Sequence, residues 1–189
     1  MRKSKKKNNN LKRNLLLFGF LLIIVSFIDT KVDKKDISLI AFNESESYTN
    51  VNAKELINIL TNKTGVVLIV DDKKDINKII NILDNLKKDE EIYVYNDSSD
   101  ELILTIENGE LNTKQEASKE YKELLNKLGS YTEEYFIDEF DTGYRKIYTP
   151  MVLFVKEGSI EYSYYISVNI EDDVLNNIYS TGFDKIEKN

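Results

Sequence analysis

Chemistry in this chain has to come from carboxylates, lysines and tyrosines, because its 189 residues include no cysteine and no histidine. That composition excludes thiol and imidazole nucleophiles, disulfides, and zinc sites built from sulfur or imidazole. The carboxylates cluster at Asp71, Asp72 and Asp75, at Glu133, Glu134, Asp138, Glu139 and Asp141, and at Glu171, Asp172 and Asp173. Two carboxylates that share a proton form an acid–base pair, and Asp141-Thr142-Gly143 has the residue types of such a triplet. It occurs once, follows no apolar strand and continues into Tyr144-Arg145, so a surface turn is predicted there. Calcium needs roughly six to eight converging oxygens. No Asp-x-Asp-x-Asp-Gly pattern supplies them, so the clusters read as solvated faces and neither a metal nor a cofactor is predicted. Seven tyrosines between Tyr131 and Tyr165 could line a groove for a peptide or glycan. Tyrosine alternating along a strand is more often core and sheet surface.

Charge is unevenly spread. Residues 1–14 carry seven bases and no acid, which leaves 19 bases against 33 acids, a net −14, for the remainder. An acidic body argues against nucleic acid as a partner and against an anionic membrane surface. The basic head leads directly into residues 15–28, an almost purely apolar run that ends at Asp29. This is a membrane signal, somewhat shorter than the ~20 residues that span a bilayer comfortably. A cleaved signal peptide therefore competes with an uncleaved signal anchor, and the lack of a small-x-small cleavage site favours the anchor. Positive-inside bias then places residues 1–14 in the cytoplasm and residues 29–189 outside, on a single pass through the cell membrane. Residues 29–50 read as a linker with a possible strand at 37–42.

The elements that must position the candidate groups follow. Asn52-Ala53-Lys54-Glu55 has the form of a capping box, with Leu56, Ile57 and Leu60 on one face of a helix ending near Asn62. Val66-Val67-Leu68-Ile69-Val70 predicts a strand covered on both faces. Asp71 or Asp72 can cap the next helix, whose stripe is Ile76, Ile79, Ile80, Leu83 and Leu86. Ile92-Tyr93-Val94-Tyr95 supplies a parallel partner strand and completes a βαβ unit. Asn108-Gly109 is a favoured hairpin turn after Leu102-Ile103-Leu104-Thr105-Ile106. Thr113-Lys114-Gln115-Glu116 looks like a second capping box, for a helix lined by Tyr121, Leu124, Leu125 and Leu128 and closed by Gly129. Residues 130–148 read as an acidic loop, so 100–145 is predicted to be a helical insert.

Pro150 is the only proline, and without an N–H it fits best just ahead of a strand. A strand is predicted from Met151, a turn at Glu157-Gly158, and a return strand in which Ile160, Tyr162, Tyr164, Ile166 and Val168 alternate with Glu161, Ser163, Tyr165 and Ser167. Asn169-Ile170-Glu171-Asp172 then opens a short last helix carrying Val174, Leu175 and Ile178 and closed by Gly182.

Three segments carry a family resemblance. Val66 to Val70 with its helix, Ile92-Tyr93-Val94-Tyr95-Asn96-Asp97, and Asp141 through Thr149-Pro150 into Met151 to Ile160 resemble the thioredoxin-like extracytoplasmic proteins of Gram-positive bacteria related to bacteriocin transport accessory proteins. The resemblance implies an α/β, thioredoxin-like fold over residues 51–189, a central mixed β-sheet flanked by helices, behind an N-terminal transmembrane helix. Where the family has Cys-x-x-Cys, this chain has a degenerate turn, Asp71-Asp72-Lys73-Lys74-Asp75. Thiol–disulfide exchange needs a thiolate, so redox activity of that kind is excluded. What the resemblance leaves is a binding edge, since the family's residue before the cis-proline, Thr149 here, presents backbone groups to an extended polypeptide. Pro150 is otherwise only a conformational device. The expected function is a membrane-anchored, non-catalytic accessory module that holds an exported or envelope polypeptide. The alternatives are a structural cell-surface domain with no groove and a carboxylate-dependent enzyme.

Overall fold

Alternating and doubly apolar strands sort their side chains onto two faces, and here both faces are covered by helices. This computed structural model describes residues 48–72, 76–166 and 170–187. Its elements are β1 (Tyr48–Asn50), α1 (Ala53–Asn62), β2 (Gly65–Val70), α2 (Asn77–Leu86), β3 (Ile92–Asn96), β4 (Ile103–Glu107), β5 (Glu110–Gln115), α3 (Lys119–Leu128), β6 (Glu133–Ile137), β7 (Phe140–Lys146), β8 (Met151–Lys156), β9 (Ser159–Tyr165) and α4 (Asp172–Ile186). The central sheet has the order β1-β3-β2-β8-β9. β1 and β2 both run parallel to β3, whereas β8 is antiparallel to β2 and β9 antiparallel to β8.

β2 is buried along its whole length, and its side chains alternate between two cores. Val67 and Ile69 join Tyr93, Tyr95, Leu153 and Val155 beneath α1 and α3. Val66, Leu68 and Val70 join Ile92, Val94, Val152 and Phe154 beneath α2 and α4. The first capping box is present: Asn52 Oδ1 accepts the Glu55 N–H, and Glu55 Oε2 accepts the Asn52 N–H. The helix it opens ends at Asn62, as its periodicity predicts.

Several expectations are corrected. α2 starts at Asn77 behind Ile76, which makes no side-chain cap, so neither Asp71 nor Asp72 caps it. Asp72 instead ties the end of β2 to β3: its Oδ1 accepts from Asn96 Nδ2 at 2.6 Å, and its N–H donates to Ser98 Oγ at 2.8 Å. The second capping box does not form, because Thr113, Lys114 and Gln115 continue β5. Gln115 Nε2 donates to the carbonyls of Ser98 and Glu101, and Ser118 caps α3 by accepting the Tyr121 N–H. Asn108 and Gly109 have φ of 56° and 82°, so the β4–β5 turn is of the left-handed kind that Asn-Gly favours.

The segment read as a loop is the β6–β7 hairpin, and the stretch between β3 and β8 therefore holds two hairpins around one helix where a helical insert was predicted. Asp141-Thr142-Gly143 lies within β7, beside a bulge, not in a turn. The buried Thr142 hydroxyl donates to the Tyr135 carbonyl at 2.6 Å. Gly182 does not close the last helix. It lies inside the 15-residue α4, where a Cβ would come within 2.3 Å of the Phe154 ring. β9 ends at Tyr165; Ser167, Val168 and Asn169 lie outside the described residues. So do the basic segment 1–14, the membrane signal 15–28 and the possible strand 37–42, and the sheet's first described strand is β1. Among the described residues, no helix is long and apolar enough to cross a membrane.

Candidate functional site

In an open α/β sheet, side chains at the carboxyl ends of parallel strands converge on one rim. Here that rim gathers the end of β2, the end of β3 and the connection from β7 into β8. The connection is Ile147-Tyr148-Thr149-Pro150, and its Thr149–Pro150 peptide bond is cis. Ile147 is buried, and its N–H donates to the Tyr121 hydroxyl of α3 at 3.4 Å. Tyr148 donates to the Glu134 carbonyl at 3.1 Å and packs its ring near Tyr165, centroids 6.4 Å apart. The Pro150 carbonyl accepts from the Ile166 N–H. These contacts hold the connection at both ends.

Between them sits Thr149, half-buried, whose hydroxyl donates to Asp71 Oδ2 at 2.5 Å. Among the described residues, the Thr149 backbone N–H and C=O make no hydrogen bond. The structure thus brings Thr149, Pro150 and Asp71 together and sets Asp72 beside β3, while Lys73, Lys74 and Asp75 lie outside the described residues.

Three further charged groups complete the rim, and sequence reasoning missed them. Asp97 follows β3 directly and is 1% exposed. Its N–H donates to the Val70 carbonyl, and its own carbonyl accepts from the N–H groups of Asp100 and Glu101. Among the described residues, its two buried carboxyl oxygens have no hydrogen-bond partner. Burial, reinforced by the nearby carboxylates of Glu101 and Asp71, raises the Asp97 carboxyl from an ordinary 3.8 to about 8, against the opposing pull of the Lys146 ammonium. Glu101 Oε2 lies 3.5 Å from Lys146 Nζ, with the two side chains 10% and 22% exposed. Lys146 also lies over the rings of Tyr135 and Tyr148, at 4.7 and 5.4 Å from their centroids. Burial, followed by the Asp97 carboxyl, raises the Tyr121 phenol. The signal for Asp97 was its position, one residue past an apolar strand of a βαβ unit. Its neighbours Ser98, Ser99 and Asp100 made it look like part of a solvated turn.

The other candidates are dispersed. Asp141 is exposed and accepts the Gly143 N–H, and the remaining acids of its cluster are spread along the β6–β7 hairpin. Asp172 pairs with Lys78 at 2.6 Å. Among the described residues, no group of three acidic side chains is placed to hold a metal ion. The tyrosines divide between the two cores: Tyr131, Tyr135 and Tyr165 pack on one and Tyr162 and Tyr164 on the other, with Tyr144 exposed.

Comparison with protein-family models, with curated proteins and with solved structures returned no match.

Proposed function

We propose that this chain is a thioredoxin-like module without redox chemistry, anchored in the cell membrane through residues 15–28, that holds an extended exported or envelope polypeptide on its extracytoplasmic side. The fold assignment is supported by a βαβ unit, β2–α2–β3, joined through Thr149-Pro150 to an antiparallel hairpin and a last helix. The observation that carries the docking reading is Thr149, held by Asp71 through its side chain while, among the described residues, its backbone donor and acceptor stay unengaged. An extended chain pairs with such groups through main-chain hydrogen bonds and needs no catalytic side chain. No reaction is assigned to the site.

The test is an NMR titration of the full chain in detergent micelles with extended peptides. Binding is expected to shift the amides of Thr149, Met151 and Asp71 first, and to slow exchange of the Thr149 N–H. N-methylating the peptide at alternate backbone positions is expected to weaken binding at least tenfold, corresponding to about 1.4 kcal/mol. Shifts centred elsewhere, or indifference to N-methylation, would refute backbone docking at Thr149.

A further inference from the structure

We propose that Asp97 is a proton-operated switch beneath the Thr149 edge: protonated, it lies neutral in the core, and ionised, it draws the Lys146 ammonium away from Glu101 and resets the β7–β8 connection. Asp97 is 1% exposed, and neither carboxyl oxygen has a hydrogen-bond partner among the described residues. A neutral acid is tolerated in that position far better than an unpaired charge, which the interior accepts only when it is paired or hydrogen-bonded.

Among the described residues, the groups that face it come from several neighbouring elements. Asp71 acts from the end of β2, Glu101 from the turn before β4, Lys146 from the end of β7, and the phenols of Tyr95 in β3 and Tyr121 in α3 are coupled to it. Asp100, next to Glu101, is engaged by the Tyr95 hydroxyl at 2.9 Å. Lys146 is the one cation in this set among the described residues, and at 3.5 Å its bond to Glu101 is a loose one. An ionised Asp97 offers it a more deeply buried partner in lower dielectric.

Movement of Lys146 has a defined consequence. Its ammonium leaves the rings of Tyr135 and Tyr148, and Tyr148 immediately precedes Thr149. Proton loss at Asp97 is thereby transmitted to the edge that presents Thr149. Burial and the two neighbouring acids place the transition in mildly alkaline solution. The switch stands apart from the docking reading, which supplies only its consequence for a bound polypeptide.

The test is a pH titration of the full chain between about pH 5 and 10, following the side-chain carboxyl carbon of Asp97 and the ring signals of Tyr135 and Tyr148 by NMR. Asp97 is expected to titrate near pH 8, with both rings moving at the same midpoint. Asp97→Asn is expected to abolish the ring step. Lys146→Met is expected to raise the Asp97 midpoint and remove the ring step, and Glu101→Gln to lower the midpoint, each by roughly tenfold in proton affinity. An Asp97 carboxyl that ionises below pH 5, rings that stay still at its midpoint, or a ring step that persists in Asp97→Asn would overturn the proposal. Should Asp97→Asn fail to fold, the shift of both midpoints together in Glu101→Gln decides the question, and separate movement of the two overturns it.

Discussion

Replacing Phe154 by alanine is expected to lower the unfolding free energy by about 3–5 kcal/mol, the range for emptying a fully buried aromatic site. Phe154 lies on β8 with no solvent exposure, and three rings surround it: Phe183 edge-on at 5.3 Å, and Tyr162 and Tyr179 each at 6.1 Å. Those partners come from β9 and α4, so the cavity would open where the sheet meets the last helix. Urea denaturation followed by far-UV circular dichroism would read the loss as a lower midpoint with an unchanged slope. Gly182 gives the same site an internal control. A Cβ at Gly182 would lie within 2.5 Å of three Phe154 ring atoms, so Gly182→Ala alone is expected to be destabilising by about 1–3 kcal/mol. In the Phe154→Ala background the added methyl enters space already vacated. The double variant is therefore expected to be less destabilised than the two single effects combined, by about 0.5–3 kcal/mol.

Asp97→Asn is the second large effect, and it has the opposite sign. The folded chain holds the Asp97 proton up to about pH 8, whereas an exposed aspartate releases it near 3.8. Between those values the folded state binds more protons than the unfolded state, so stability falls as pH rises. Asp97's relative contribution is thus most favourable below the unfolded value and is lost as pH climbs through the folded one. At about 1.36 kcal/mol per pKa unit, the total loss is on the order of 5–6 kcal/mol, and asparagine, which never ionises, removes it. The variant is expected to match the parent at pH 4 and to be clearly more stable at pH 9. Denaturation curves at the two pH values measure the difference. A parent no less stable than Asp97→Asn at pH 9 would show that the folded state does not hold the Asp97 proton above the range of an exposed aspartate.

Much of the scaffold around the site was legible because its signals are local. Asn52 and Glu55 announce α1 within four residues, and the short, largely β-branched apolar run of β2 fits a strand buried on both faces. Pro150, Met151 to Lys156 and Glu157-Gly158 mark the β8–β9 hairpin in the same way. The β6–β7 hairpin was not legible. Its Tyr135 and Ile137 are only half-buried against the core, while Phe136 and Phe140 are 43% and 46% exposed, so the apolar residues do not mark one face. Five acids and a bulge weaken the alternation further. Thr113-Lys114-Gln115-Glu116 shows the converse error, since a cap motif has no force where the chain is already committed to pairing with β4.

The site divides along the same line. Thr149, Pro150 and Asp71 stand at the ends of legible strands. Their proximity follows from β2 and β8 pairing antiparallel, with Ile69 opposite Met151. Asp97, Glu101 and Lys146 meet only because β3, the turn before β4 and the end of β7 converge in space. The local signal, an aspartate one residue past an apolar strand, is masked at Asp97 by the polar run Ser98-Ser99-Asp100 that follows it.

We propose Thr149 as a docking edge for an extended polypeptide. The most direct measurement places a photoreactive residue at position 149 of the full chain in cells that produce it, and the same residue at exposed position 157, at the other end of β8. The expected result is a discrete set of crosslinked polypeptides from position 149, competed away by an extended peptide that binds the purified chain and absent from position 157. Equal capture at the two positions, or none at position 149, would contradict it.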